Sequence, residues 1–535
     1  MKKFFFALTI LLIFGINLYA QINVGDVKTF WSVSYIDWDA NDPQVEITAT
    51  CKAVSEHCYL FVDNNAYQPN QSQIDALINK FETVFVPIQT DMYGNIPDAL
   101  DNDPRIYMLA IGNTWWAGYF DPGQQMSDSI VYNRWGKHSS EKEIIYFASS
   151  YFGNSYLDEV VSHEFGHMLH WLQDHSPEPP ENPTYFWEEA WIDEQFSTFS
   201  PVMTLEGLNN NDIMDNSAFF ALEPNTSLIH FSSYNAGKLF ITFMYEHYGD
   251  TAYIKTLIKE QANGILGVNK TLTNLGYQES FEDVFNQWII ANYLDNTTYQ
   301  NGKYGYKHYN FTTSRPEINI STYPTSVKTG YVLAYGSKNI KFNTAVAKPI
   351  KINFNGTDYS SYRVSLILYN NTPSQIYDIV NISLDADNDG NFIADKFGTD
   401  YNKIVMIVMN TDELLGSGQY SAFTYQAVEY ISDINDNLTD MPNQFVLSAN
   451  YPNPFNPTTT IEYTLPVSCN VKIEIFNPIG QLIDVLLNAE QNKGGYNLGW
   501  DAGNLSGGVY YIKLSAQNQS GNLIFSKIQK AILLK

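Results

Sequence analysis

Two histidines, His163 and His167, stand four residues apart, and Glu164 directly follows the first of them. On an α-helix a four-residue step turns the side-chain direction by only about 40°, so both imidazoles face the same way. Two neutral imidazoles on one face are two of the three protein ligands of a catalytic Zn2+, whose Zn–N bonds are about 2.0–2.1 Å. Glu164 then suits a general base that takes a proton from a metal-activated water instead of binding the ion. The surrounding string, residues 156–174, reads as helix. It contains no Pro, carries Leu157, Val160, Val161, Phe165, Met168, Leu169 and Leu172, and meets Pro177 just past its end. The same histidines would also serve as surface or capping groups on a core helix, so a third ligand decides between the readings.

A metzincin continuation would place Gly at 170 and His at 173, where this chain has His170 and Gln173, and is excluded in its standard form. The alternative is a Glu on a second helix. The string Trp191-Ile192-Asp193-Glu194-Gln195-Phe196-Ser197 resembles the W-[LV]-[ND]-E-G-[LF]-[AS] element of gluzincin metallopeptidases, with Gln195 where that pattern has Gly. The resemblance implies Glu194, 27 positions after His167, as the third zinc ligand. Glu188 and Glu189 are nearby competitors, or simply a solvated helix start. Asp193 either orients a ligand from behind or is a helix-surface carboxylate. His170 and His175 read as surface or outer groups, since three ligands leave the fourth position for water. Tyr234 and His230 stand where a donor to a tetrahedral oxyanion would lie, and packing of a loop accounts for them equally well. With DNDPRIYML, GYFDP, YNAGKLFITFMYEHYG and FEDVFNQWIIANYLDN, the chain resembles hyicolysin-like gluzincins over about residues 25–310.

These elements need a scaffold. From 21 to 314 the pattern alternates strands and helices, an α+β zincin-like domain by the resemblance. It includes an amphipathic helix over 74–86, a buried strand over 105–110, a turn-rich loop at 118–122 and a strand over 143–148. The last could pair with an extended substrate by β-addition, or be an ordinary sheet strand. Residues 224–234 read as a loop, and 235–248 and 281–294 as packed helices.

Residues 1–20 have the layout of a signal peptide: Lys2 and Lys3, an apolar run from Phe4 to Ile16, and Tyr19-Ala20 before the expected cut. That run is short of the roughly 18–20 residues a membrane span requires, and no transmembrane anchor is expected in the mature chain. A net charge of −27 excludes nucleic acid and anionic lipid as the natural partners. Of three cysteines, Cys51 and Cys58 flank a short loop between strand-like runs. In an oxidising compartment a disulfide is expected there, stabilising by about 2–3 kcal/mol. Cys469 reads as a buried core residue.

Residues 315–430 lose helix signals and alternate as short strands, a β-sandwich of immunoglobulin-like type. Within it Asp385, Asp387 and Asp389, followed by Gly390, have the spacing of a Ca2+ loop. Position twelve, however, is Lys396 instead of Glu, and a hairpin turn has the same composition. Residues 431–443 form a polar linker. Residues 444–535 read as a second all-β sandwich. Through NYPNPFNPTTTI, the GQ before an apolar strand, WD, GVYY and the terminal KAILLK, they resemble the type A C-terminal sorting domain of the type IX secretion system. That resemblance implies export through the bacterial periplasm and across the outer membrane, with release or attachment at the cell surface. The expected protein is thus a secreted zinc endopeptidase acting on proteins or peptides. Its rivals are a surface binding protein on an inactive peptidase fold and a zinc aminopeptidase; no GxMEN-like element for a substrate amine is present.

Overall fold

The computed structural model describes residues 22–32, 44–96, 103–112, 116–174, 188–206, 223–307, 318–412, 414–416, 418–430, 445–518 and 521–535. The expected signal peptide, the linker and His175 lie outside them. The chain divides into two compact units, Met1–Tyr430 and Ile431–Lys535.

The first unit opens with a mixed six-stranded sheet of β1 (Val27–Ser32), β2 (Val45–Val54), β3 (Cys58–Asp63), β4 (Ile106–Ile111), β5 (Gly118–Phe120) and β6 (Ile144–Ala148). Its order is β1-β2-β3-β4-β6-β5, with β3, β4 and β6 parallel and the other pairings antiparallel. Both faces are apolar, and the alternation of side chains sorts them. Leu60, Met108, Ile145 and Phe147 point to the helical core, whereas Tyr59, Phe61, Tyr107, Leu109 and Tyr146 form a second cluster behind the sheet. Strand β6 is flanked by β4 and β5, so it has no free edge for a substrate. Among the described residues the free edge on this side of the sheet belongs to β5, within the stretch expected to be loop.

The expected disulfide is absent. Cys51 and Cys58 are both buried free thiols. A β-bulge between Cys51 and Ala53 sets Cys51 opposite Phe61, and the two sulfurs lie in different clusters, Cys51 behind the sheet and Cys58 in the helical core. Adjacent-strand cysteines on opposite faces cannot bridge without backbone movement. Burial pushes the Cys51 thiol up to about 11 and the Cys58 thiol higher still.

Helix α1 (Gln71–Lys80) starts with a capping box in which Asn70 and Gln73 satisfy each other's backbone N–H. It does not end before Pro87. A π turn, Phe81–Phe85, carries it into α2 (Val86–Tyr93), absorbing the N–H that Pro87 lacks. After α3 (Asp128–Trp135) come α4 (Tyr156–Asp174) and α5 (Ala190–Pro201). Helices α6 (Tyr234–His247), α7 (Thr251–Leu257), α8 (Gly264–Asn274) and α9 (Phe281–Leu294) complete the helical layer.

Nine strands follow: β7 (Ile318–Ile320), β8 (Lys328–Leu333), β9 (Ser337–Asn343), β10 (Ile350–Gly356), β11 (Tyr362–Tyr369), β12 (Ile376–Asn381), β13 (Asp389–Ala394), β14 (Lys403–Asn410) and β15 (Tyr420–Glu429). They form a sandwich of sheets β13-β10-β15-β8 and β12-β11-β14-β9-β7. Val364, Leu366 and Met406 fill the sandwich, while Ile367, Tyr369, Val405, Ile407 and Met409 join the helical core on the opposite face. The helical core therefore extends across the 314/315 boundary, while the sandwich also has an interior of its own. The Asp385–Asp389 stretch crosses between the sheets, from β12 to β13, and is not a hairpin. Asp385 Oδ1 accepts from Asp387 N (3.0 Å) and Asp389 N (2.9 Å), and Asp389 Oδ1 accepts from Asn355 Nδ2. These contacts make an Asx-type turn at the start of the crossing.

The second unit is a smaller sandwich of β16 (Val446–Leu447), β17 (Thr458–Leu465), β18 (Cys469–Phe476), β19 (Leu482–Gln491), β20 (Gly494–Asp501), β21 (Gly508–Gln517) and β22 (Leu523–Leu533). Its sheets are β16-β17-β20 and β19-β18-β21-β22. Cys469 is buried in its core with Ile461, Ile473 and Trp500. Among the described residues no helix is long and apolar enough to cross a membrane.

Candidate metal centre

Helix α4 buries Leu157, Val160, Val161, Phe165, Met168 and Leu169, which turns His163 and His167 toward α5. The two helices can approach because residue 166 is Gly. A Cβ there would lie 2.3 Å from Ser200 Oγ and 3.1 Å from the Ser197 backbone. Helix α2 holds the pair from behind. Gln89 Nε2 donates to Ser162 O (3.0 Å) on α4, and Tyr93 Oη donates to Phe196 O (2.8 Å) on α5.

This crossing places Glu194 Oε2 3.5 Å from His163 Nε2 and 3.6 Å from His167 Nε2. Donors on a tetrahedron of about 2.0–2.1 Å radius are separated by about 3.3–3.4 Å. Among the described residues Glu194 Oε2 is buried with no hydrogen-bond partner, and the Tyr234 phenol stands close to this carboxylate. A buried carboxylate oxygen left unpaired is costly, and a cation between it and two imidazoles would satisfy it. The donor set of two nitrogens and one carboxylate oxygen fits Zn2+. Ligand atoms of His163, Glu164 and His167 also lie within 4.8 Å of one another.

Behind the cluster, Asp193 Oδ2 is 2.8 Å from His167 Nδ1 and Oδ1 is 2.6 Å from His170 Nδ1. Burial disfavours charge on both partners of the first contact. The opposite charges outweigh it, holding the Asp193 carboxyl far below its ordinary range and raising His167 to about 10 in the metal-free protein. Nδ1 of His167 is thus the donor and Nε2 is left for an ion. Glu164 is buried, and burial pushes it up to about 7 against the pull of His163 and His167. Strand β5 closes over it. A Cβ on Gly118 would stand 2.7 Å from Glu164 Oε1 and 2.6 Å from Val160 Cγ1. The cleft in front is lined by Gly118, Tyr119, Phe120, Trp171, Glu188 and Tyr234, together with the cluster itself.

Of the candidate oxyanion donors, Tyr234 lines this cleft, its ring 6.3 Å from that of His163. Burial, then the Glu194 charge, holds its phenol well above the ordinary range. His230 does not line the cleft. Its Nδ1 contacts Ser232 Oγ at 2.7 Å and its ring lies on Phe231, so it belongs to the loop. Glu188 Oε1 accepts from Gly264 N (2.7 Å) and Glu189 Oε2 from Trp191 Nε1 (2.6 Å), which anchors both as structural carboxylates beside α5. Gln195, the departure from the gluzincin pattern, is buried with its Cγ 3.1 Å from where a Cβ on Gly237 would be. Gly237 on the facing helix α6 leaves the room that the Gln195 side chain occupies. Sequence reasoning missed the shared Asp193 contact of His170; the signal was its position three residues after His167 on the same helix.

Residues 449–528 match the secretion system C-terminal sorting domain family, so the second unit is an export signal folded as a β-sandwich. The sorting domain is the type IX kind, which implies handling by the type IX secretion machinery and a secreted or cell-surface protein. No curated protein matches this chain. Among solved structures, the pre-peptidase C-terminal domain of a collagenase from Bacillus anthracis is 16% identical over 21% of this chain and 98% of its own, with a TM-score of 0.16. CopC from Methylosinus trichosporium OB3b is 14% identical over 17% of this chain and 93% of its own, TM-score 0.13. Dimeric latent PorU from Porphyromonas gingivalis is 14% identical over 42% of this chain and 19% of its own, TM-score 0.17. Likenesses at such scores carry no argument about the first unit.

Proposed function

We propose that the first unit is a secreted zinc-dependent endopeptidase of gluzincin type on a zincin-like fold, delivered by the sorting domain. The observation that carries this reading is the convergence of His163 Nε2, His167 Nε2 and the unpartnered Glu194 Oε2 beside a buried carboxyl group. His163, His167 and Glu194 would hold Zn2+. Bound there, the ion supplies Lewis acidity, polarising a scissile carbonyl and bringing the pKa of water toward 7. Glu164 takes the proton of the attacking water on its carboxylate and returns it to the leaving amine nitrogen. Tyr234, on the far wall of the cleft, donates a hydrogen bond to the oxygen on which negative charge develops. The free edge of β5 beside Glu164 offers backbone groups to an extended peptide running along the cleft, which favours internal bonds over chain ends.

The test pairs zinc content of the mature protein with casein cleavage, with and without 1,10-phenanthroline. One zinc per chain and chelator-sensitive cleavage are the expected results. Zinc-free protein without cleavage would instead leave a surface binding protein on an inactive fold. Equal cleavage of amine-blocked and free-amine peptides would separate the endopeptidase from an aminopeptidase.

A further inference from the structure

His170 lines the cleft, is 2% exposed, and has no task in the proton transfers proposed above. It lies on α4 one turn beyond His167. Its Nδ1 is 2.6 Å from Asp193 Oδ1, and the other oxygen of that carboxylate is 2.8 Å from His167 Nδ1. One carboxylate from α5 is therefore gripped by two imidazoles from α4.

The consequence follows from how freely an aspartate turns. Its terminal torsion is broad and roughly two-fold, so a carboxylate held at one oxygen can swing and take its partner's hydrogen-bond direction with it. Held at both oxygens, Asp193 has one orientation. The ring of His167 then has one orientation too, its Nδ1 also 3.3 Å from Ser197 Oγ and its Nε2 3.6 Å from Glu194 Oε2. The ring of His170 is itself set by Phe196, with centroids 4.5 Å apart. Buried rings and backbone thus fix the chain Phe196, His170, Asp193, His167 before any ion arrives.

We propose that His170 is a positioning residue for the metal centre: acting through Asp193, it holds the tautomer and direction of His167 so that the site is preformed. This rests on the reading of the cluster as a Zn2+ site. Two substitutions separate the hydrogen bond from the packing. His170→Phe keeps a ring against Phe196 and loses the donor. His170→Asn loses the ring and keeps an N–H close to the position of Nδ1.

The experiment measures Zn2+ affinity of the full mature chain by competition with a chromogenic chelator, for wild type and both variants, with metal-free melting temperatures alongside. Loss of a direct outer partner of a ligating histidine typically weakens metal binding about 10–100-fold; His170 acts one contact further out, so His170→Phe is expected to weaken it about tenfold, with His170→Asn restoring most of it. Wild-type affinity in His170→Phe would overturn the proposal. So would His170→Asn binding as weakly as His170→Phe, because packing alone would then account for the loss. A wild-type protein that takes up no Zn2+ would overturn the site itself, an outcome distinct from unchanged variants of a zinc-binding wild type.

Discussion

Glu164 is a carboxyl group that the fold keeps out of water beside two imidazoles, and its acid–base behaviour follows from that placement. As the base it must lose a proton, and as the acid it must return one, so a pKa near the working pH suits both halves. Glu164→Gln keeps size and hydrogen bonding but cannot accept a proton. It is expected to bind Zn2+ normally and to lose turnover by on the order of 10²-fold or more, read from zinc content and casein cleavage rate. A variant that cleaves at the wild-type rate would remove Glu164 from this role. The same burial has a stability signature in the metal-free protein. Burial raises the folded-state pKa from 4.5 to about 7, so between these values the native chain keeps a proton that the unfolded chain has lost. The contribution of this group to stability is therefore complete below about 4.5 and is lost as pH rises through about 7. Glu164→Gln does not titrate. Its metal-free melting temperature should fall less than that of wild type between pH 5 and pH 7.5, and parallel curves would contradict the linkage.

Two close approaches between secondary-structure elements build the site, and each depends on a missing side chain. Gly166 lets α5 lie against α4 and so brings Glu194 to the histidines; Gly118 lets β5 lie against Glu164. Gly166→Ala should push the helices apart, costing about 1–3 kcal/mol by overpacking and weakening Zn2+ binding as the third donor withdraws. Gly118→Ala should instead displace Glu164 while leaving the three donors in place, so turnover falls at least about tenfold with zinc retained. Zinc content and cleavage rate measured on both variants give the contrast; identical behaviour would refute the division of labour. The helices of this arrangement were legible in the sequence, because α4, α6 and α9 are long enough for a 3.6-residue apolar pattern. The spacing of His163, Glu164 and His167 was legible too, and Glu194 through a local motif. Strand β5 was not, since three residues carry no period. Nor were the cysteines, because a bulge between Cys51 and Ala53 decides which face each one takes. The helix expected over 74–86 runs on to Tyr93, because a π turn at Phe81–Phe85 carries it past Pro87. The pairing of His170 with Asp193 depends on the α4–α5 crossing, which no local pattern encodes.

The sequence separates a helical domain from a sandwich near residue 314, yet the helical core runs across that point onto one sheet of the sandwich, which keeps an interior cluster of its own. The outer face of β11 and β14 contributes Ile367, Tyr369, Val405, Ile407 and Met409 to the cluster that contains Phe285 and Trp288 of α9. Polar contacts lock the same face: Arg363 Nη1 to Asp283 Oδ1 at 2.7 Å, Ser365 Oγ to Asn286 Oδ1 at 2.8 Å, and Tyr293 Oη to Tyr369 Oη at 3.3 Å. The sandwich also holds the loop that leads to the cleft. Ahead of Tyr234, the loop is pinned by Leu333 N donating to Asn225 Oδ1 (2.9 Å), Ser337 N to Pro224 O (3.0 Å) and Leu228 N to Tyr335 O (2.9 Å). Removing the sandwich would expose an apolar sheet-facing surface on the helices and free the loop that leads into α6, whose first residue, Tyr234, lines the cleft. A chain ending at residue 314 is therefore expected to be insoluble or to melt without a cooperative transition. A chain ending at residue 430, which lacks only the sorting unit and its separate core, should melt cooperatively within a few degrees of the full-length protein and keep its Zn2+. Circular dichroism melts and limited proteolysis of the two truncations check this. A folded, zinc-binding product ending at residue 314 would show that the sandwich is an appended module, and the loop that leads into α6 and Tyr234 would then need another anchor.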